Sequence, residues 1–289
     1  MSDDLLAMMN ALDDEPIDRE EYIPSLFPYA GGKGRSEQFI LPYIPYTDRF
    51  IEVCGGTGRI LLSRKACKLE VFNDIHSGIT CFYKCIRDKN LKDKLIERLE
   101  LTIHGREEFN WCKNTWEKEN DPVEKAARWY YMTCYSFAGV GRNFGRTMNP
   151  SSVFSGKVRR NLEHFEAVHQ RFSRVQVECA DWRQLFRDYD HKDTVFYIDP
   201  PYYGKNIYKH NWTQSDHEEM CQRIQQLEGF AAVSGYDNPI YDKYKWNDRI
   251  TYDVRISATT KAVNTDTSNV TQVGKGEEEE ILWIKYAGS

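Results

Sequence analysis

Asp199-Pro200-Pro201-Tyr202 follows directly on Thr194-Val195-Phe196-Tyr197-Ile198, an apolar run rich in β-branched and aromatic residues that reads as a buried strand. The tetrapeptide sets a carboxylate, two rigid carbonyls and an aromatic face at one strand end. Proline fixes φ and carries no N–H, so the carbonyls of Pro200 and Pro201 are held with no donor competing beside them. Such a corner can accept two hydrogen bonds from one planar amine while the ring of Tyr202 lies over it. That equips it for chemistry on an exocyclic amino group. Asp-Pro is equally an ordinary way to end a strand and begin a turn, so the rest of the chain has to decide.

A second constellation is Phe50-Ile51-Glu52-Val53-Cys54-Gly55-Gly56-Thr57-Gly58, a strand running into a glycine-rich turn and then a helical stretch. Glycines there let the backbone approach a ligand closely at a helix N-terminus. The third glycine of a full GxGxxG fingerprint is missing, and Gly32-Lys33 is followed by Gly34, so there is no Walker motif. Sixteen residues after Gly58, Asp74 ends the next strand in Val71-Phe72-Asn73-Asp74. It is placed to hold the ribose hydroxyls of a ligand on the glycine turn; a helix N-cap is the alternative. Turn and acid together describe an adenosine-containing ligand, leaving dinucleotide and S-adenosylmethionine open. Upstream, Pro28-Tyr29-Ala30-Gly31-Gly32-Lys33 offers an aromatic ring and a cation, suited to a sulfonium or flat group and to a carboxylate, or is a plain turn.

The elements that must position these residues read as strands at Arg49–Cys54, Leu69–Asp74, Val175–Asp181, Thr194–Asp199, Gly229–Tyr236, Arg249–Ala258 and Glu279–Tyr286. Helical stretches such as Ile60–Lys68, His76–Arg87 and Asp216–Leu227 alternate with them. That alternation predicts an α/β fold with a mainly parallel seven-stranded sheet. No convincing helix separates the last two strands, which predicts an antiparallel hairpin at one edge. About a hundred residues break the rhythm between the second and third strands. There Leu91–Lys118 and Pro122–Tyr135 read as helices and Ser136–Arg146 as a glycine-rich basic loop, an insertion of functional length. Residues 1–22 read as an acidic tail, 23–85 and 166–289 as one α/β domain, and 86–165 as the inserted domain.

With 289 residues the chain can bury a sizeable core. It has no run of 18 apolar residues and no signal-peptide pattern at its start, so a cytoplasmic protein is expected. Its eight cysteines lack a CxxC pair and its seven histidines do not cluster, so reduced thiols and no metal site are expected. The net charge of −5 conceals a segregation. Residues 3–21 hold eight acids against Arg19, whereas residues 131–162 hold Arg142, Arg146, Lys157, Arg159 and Arg160 and no acid. A basic face for a polyanion or a solvated basic loop both fit that pattern.

PYAGGK, EVCGGTG, FNDIH, CADW (Cys179–Trp182) and DPPY, in this order, resemble the Dam-like DNA adenine methyltransferases of the alpha-ordered group. Tyr208, Asp216-His217, Val233-Ser234-Gly235-Tyr236 and Glu280-Ile281-Leu282-Trp283 continue the similarity, which covers about residues 26–286. Cys54 departs from the phenylalanine usual in the family's FxGxG turn, and the insertion matches only at Gly141-Arg142-Asn143. The resemblance implies a Rossmann-like methyltransferase sheet with a target-recognition insertion. It further implies transfer of a methyl group from S-adenosylmethionine to the N6 amine of a flipped-out adenine in double-stranded DNA, by direct in-line attack.

On that resemblance Asp199, Pro200, Pro201 and Tyr202 are the catalytic set. Tyr29, Lys33, Glu52, Asp74, Asp181 and Asp199 line the cofactor site, Gly56 and Gly58 form its floor, and Asp181 meets the cofactor's adenine. Arg142, Asn143, Arg146, Lys157, Arg159 and Arg160 are the DNA-binding candidates. The resemblance also implies a protein of bacterial, phage or mobile-element type. Cytosine N4, adenine in RNA, and a catalytically silent DNA-binding protein remain as alternatives.

Overall fold

The computed structural model describes residues 22–29, 36–136, 139–145, 156–205, 209–255 and 277–289. The acidic residues 3–21 and the candidates Lys33, Arg146 and Tyr208 lie outside them. Seven strands form one sheet: β1 (Arg49–Glu52), β2 (Leu69–Asn73), β3 (Gln176–Glu178), β4 (Thr194–Ile198), β5 (Phe230–Gly235), β6 (Asp248–Arg255) and β7 (Glu277–Lys285). Their order is β3-β2-β1-β4-β5-β7-β6. The first five run parallel, and β7 lies antiparallel between β5 and β6. The edge hairpin expected from the sequence is therefore present, with its second strand inside and β6 at the rim.

β4 and β5 are buried along their whole length, so their side chains read as continuous apolar runs. Alternate residues face opposite layers. On one face Phe50, Phe72, Val195, Tyr197 and Ala232 join a large aromatic cluster. On the other, Ile51, Val71, Phe196, Ile198 and Val233 pack against α9 (Trp182–Tyr189) and α10 (Gln214–Ile224).

The first face is covered by α2 (Arg59–Ser63) and α3 (Ser77–Arg87), followed by α4 (Lys89–Glu100), α5 (Arg106–Thr115), α6 (Pro122–Cys134), α7 (Lys157–Leu162) and α8 (Phe165–Phe172). A short α1 (Glu37–Ile40) precedes β1. Helices of the insertion share the sheet's core: Phe82 of α3 stacks on Tyr130 of α6 at 4.8 Å, and Trp129 stands edge-on to Phe27 at 5.0 Å. Tyr130 and Asn161 both donate to the Leu26 carbonyl, at 2.8 and 2.6 Å.

Three sequence expectations are corrected. The helix expected over Leu91–Lys118 is two helices, because Tyr131 captures the segment between them: its hydroxyl donates to the Ile103 carbonyl at 2.7 Å and accepts the Gly105 N–H at 3.0 Å. The helix expected to reach Lys68 ends at Ser63, where Arg64 turns extended and lays its guanidinium over Phe50 at 3.9 Å. α9, which the sequence reading passed over, forms between β3 and β4 because Asp181 caps it and Trp182, Leu185 and Phe186 bury one face.

β1 and β4 are neighbours although their connections lead away in opposite directions along the sheet. In open α/β sheets the crevice at such a reversal, beyond the carboxyl ends of the strands, is where ligands bind. The glycine turn leaves β1 there and Asp-Pro-Pro-Tyr leaves β4 there.

Candidate active site

At that crevice lies a cavity of about 260 Å³. Seven of the candidates from the sequence meet on its wall: Tyr29, Glu52, Gly56, Asp74, Asp181, Asp199 and Pro201. Cys54, Gly55, His76, Trp182, Arg183, Lys209 and Trp212 contribute as well. Trp182 belongs to the CADW stretch quoted from the sequence, whereas Arg183, Lys209 and Trp212 were not singled out, since each carries meaning through partners distant in the chain.

The glycine turn is held from three sides. Gly56 and Gly58 take φ of +52° and +65°, the left-handed region where a side chain is strained. A Cβ on Gly55 would sit 2.2 Å from the ring of Phe72. Asp74 accepts the Gly56 N–H on one oxygen at 2.9 Å and the His76 N–H on the other at 2.8 Å. Tyr83 donates to the Thr57 carbonyl at 2.6 Å. Gly58 is the N-cap of α2 and does not itself line the cavity.

Asp74 is not the helix cap that was its alternative reading. His76 caps α3 by accepting the Gly78 N–H on Nδ1, while Asp74 ties the tip of β2 to the turn after β1. Burial pushes the Asp74 carboxyl up to about 6, against the opposing pull of its two backbone donors. We expect Asp74→Ala to free the Gly56 N–H and weaken binding of an adenosine ligand about tenfold, the worth of one charge-assisted hydrogen bond. Titration calorimetry with S-adenosylmethionine checks this, and unchanged affinity would assign the residue to structure alone.

Asn73 knots the neighbouring strand ends. Its amide donates to the carbonyls of Val53 and Ala180 at 2.8 and 3.1 Å and accepts the Ala180 N–H at 2.8 Å. That holds Asp181 at the rim, where it caps α9 and pairs with Arg183 at 3.2 Å. Arg183 also reaches Asp216 at 2.7 Å and Glu219 at 2.6 Å, fastening the start of α10 and with it the segment bearing Trp212. The indoles of Trp182 and Trp212 lie 5.4 Å apart. They supply a flat apolar wall on this side of the cavity.

Glu52, at the end of β1, is buried and accepts the Leu61 N–H at 3.2 Å. Burial pushes its carboxyl up to about 8, Asp199 adding to the shift and the backbone donors opposing it. A folded-state value raised from 4.5 means stability that is full below pH 4.5 and lost as pH rises to about 8. The unfolding free energy of Glu52→Gln should therefore gain on the parent between pH 4.5 and 8, by on the order of a few kcal/mol, and run parallel above it. A gap that stays flat in thermal scans across this range would show the carboxylate already ionised.

Asp199 stands at the end of β4, where Ser234 Oγ donates to its Oδ1 at 2.9 Å and Tyr197 Oη lies 2.9 Å from the same Oγ. Tyr202 is buried beside it, edge-on to Tyr236 at 4.7 Å, with its hydroxyl donating to Glu280 at 3.2 Å. It follows Asp199 by three residues and does not itself line the cavity. On the insertion side of the rim, His76 stacks on Trp116 at 5.4 Å, and Lys209 pairs with Glu117 at 2.6 Å. Burial holds the His76 imidazole down at about 4.

Of the DNA-binding candidates, Arg142, Asn143, Arg159 and Arg160 are exposed. Lys157 is half-buried, its ammonium lowered by that burial. Among the described residues no group of side chains could hold a metal ion, and no helix is long and apolar enough to cross a membrane. None of the eight cysteines is paired.

Residues 29–251 match the family described as D12 class N6 adenine-specific DNA methyltransferase. The chain belongs to this family. It is 24% identical to a DNA N-6-adenine-methyltransferase of Escherichia phage P1, over 75% of this chain and 26% of the relative. It is 25% identical to the modification methylase LlaI of Lactococcus lactis subsp. lactis, over 69% of this chain and 33% of that one. The chain thus spans about a quarter to a third of the length of these relatives. A solved methyltransferase structure complexed with SAH aligns at a TM-score of 0.27 and 13% identity, over 68% of this chain and 56% of that chain. The family match covers the glycine turn, Asp74, Asp181 and Asp199 alike.

Proposed function

We propose that this member of the family transfers a methyl group from S-adenosylmethionine to the N6 amine of adenine in double-stranded DNA. The observation that carries the reading is the position of Asp199, at the head of Asp-Pro-Pro-Tyr and on the wall of the cavity shared with Gly56, Asp74 and Asp181.

The residues present fit S-adenosylmethionine. The left-handed turn at Gly56 leaves a cradle where a Cβ would stand 3.3 Å from the Tyr29 ring. Tyr29, Glu52 and Asp74 offer an aromatic face and two carboxyls, and Asp181 with the two indoles offers an adenine site. When bound, S-adenosylmethionine supplies an electrophilic methyl group.

The lone pair of an adenine N6 is delocalised into its ring and is a weak nucleophile. Asp199 and the Pro200 carbonyl accept hydrogen bonds from its two N–H groups and favour a tetrahedral nitrogen; as the nitrogen takes the methyl and the methyl's bond to sulfur breaks, Asp199 receives the N6 proton, and most of the acceleration comes from position and electrostatics. Ser234 fixes the carboxylate through Oδ1. Tyr202 stacks on the base, which has to leave the duplex to reach this corner. Arg142, Asn143, Lys157, Arg159 and Arg160, together with Arg146, serve phosphates and base edges.

Incubation with tritiated S-adenosylmethionine and adenine-containing duplex DNA, followed by nucleoside mass spectrometry, tests the proposal. N6-methyladenine supports it. Methylcytosine alone, methylation of RNA alone, or no labelled base overturns it.

A further inference from the structure

Glu280 is a buried carboxyl at the carboxyl-end edge of the sheet, 4% exposed. A carboxyl in such a place costs free energy unless hydrogen bonds compensate its lost hydration. Here two phenols do so. Tyr202 donates to Oε1 at 3.2 Å and Tyr252 donates to Oε2 at 2.9 Å. Tyr252 is the register partner of Glu280 across β6 and β7, so its distance to the carboxyl is set by the ladder. The Tyr252 ring is backed in turn by Phe39, stacked at 6.0 Å with an interplanar angle of 18°.

On the far side the Tyr202 ring abuts Tyr236 edge-on, 4.7 Å away and tilted by 70°. Tyr236 follows β5, the strand that also carries Ser234. Tyr202 is thus gripped at its hydroxyl by β7 and along its edge by the residue after β5, while Asp199 three positions earlier is gripped by Ser234. A buried phenol needs an acceptor whatever its task; here the acceptor is a carboxyl that a second phenol holds in place, so the position of the Tyr202 hydroxyl is fixed from β6 and β7 together.

The geometry points to Glu280 as a positioning residue: with Tyr252 it fixes the plane of Tyr202, and so the face on which the target base stacks. This rests on the function proposed above. It adds a determinant from the last strand, some eighty residues beyond the Asp-Pro-Pro-Tyr corner. Glu280 does not line the cavity and acts through the ring it holds.

The experiment labels the full chain with 3-fluorotyrosine, assigns the Tyr202 resonance by its loss in Tyr202→Phe, and compares Glu280→Gln and Glu280→Leu. Rates on adenine-containing duplex DNA and affinity for S-adenosylmethionine are measured alongside. In Glu280→Leu the Tyr202 resonance should shift or broaden and kcat should fall about tenfold or more, the worth of a hydrogen bond to a buried charged group. S-adenosylmethionine affinity should stay within twofold. Glu280→Gln keeps one acceptor and should recover part of the rate, which a purely structural role would not require.

Tyr202→Phe combined with Glu280→Leu should be no worse than the poorer single variant. An unmoved Tyr202 resonance, an unchanged kcat in folded Glu280→Leu, or losses that multiply in the double variant would each overturn the inference. A parent protein that methylates no adenine overturns the function proposed above instead, and the fluorine signal alone then decides whether Glu280 holds the ring.

Discussion

Replacing Asp199 by alanine is expected to lower methyl transfer to adenine in duplex DNA by at least ~10²–10³-fold, the usual cost of deleting one preorganised group at a reacting centre. The carboxylate ends β4, is held from below by Ser234 at 2.9 Å, and faces the cavity bounded by the glycine turn. Alanine leaves the strand and both prolines in place, so folding and the Pro200 carbonyl persist while one of the two acceptors proposed for the amine disappears. Affinity for S-adenosylmethionine should drop only in part, because Asp74, Tyr29 and the turn at Gly56 remain. Asp199→Asn sharpens the test. Its amide preserves volume, and with Ser234 still donating to Oδ1 it turns an N–H rather than an acceptor toward the amine, so its rate should stay near that of alanine. Single-turnover transfer of tritiated methyl, with calorimetry for the cofactor, measures both parts. A folded Asp199→Ala protein with the parent's rate would remove this carboxylate from the mechanism.

The parts of this site visible in the sequence are those where backbone chemistry is local. Asp199-Pro200-Pro201 and Gly55-Gly56-Thr57-Gly58 each end a strand with residues whose φ preferences are intrinsic, so a strand and its turn could be read together. All seven strands were legible for the same reason: short runs of Val, Ile, Phe and Tyr bounded by turn residues. The rest is built from pairs far apart in the chain. Asn73 reads as an ordinary strand end until its amide meets Val53 and Ala180. Glu280 reads as the start of an edge strand until Tyr202 and Tyr252 close on it. Asp74 was legible as an acid at the right strand tip, whereas its grip on the Gly56 N–H appears only once β1 and β2 are side by side. The break between α4 and α5 carries no proline, and its cause, the hydroxyl of Tyr131, lies on a different helix.

Arg171→Met is expected to destabilise the fold by about 3–5 kcal/mol, the cost of leaving one member of a buried ion pair behind. The guanidinium of Arg171, on α8, grips Glu70 of β2 through two bonds of 2.5 and 2.7 Å and donates to the Leu61 carbonyl of α2 at 2.7 Å. Both side chains are nearly sealed from water, at 6% and 4% exposure. One residue thus pins the helix that returns from the insertion to the strand that Asp74 follows and to the helix that Gly58 caps. The cost arises from Glu70, whose carboxylate loses that partner in a place water does not reach. The double variant Glu70→Leu/Arg171→Met should therefore recover most of the loss, because an apolar pair of similar volume can replace a buried ion pair at little cost. Urea unfolding of the four proteins of this cycle separates the attraction between the pair from the penalty of orphaning one charge. If Arg171→Met loses less than about 1 kcal/mol, as exposed pairs do, Glu70 is hydrated and the pair is a surface contact. If the double variant is as unstable as the single one, the bond to Leu61 is what α8 contributes, and the glycine turn should loosen with it.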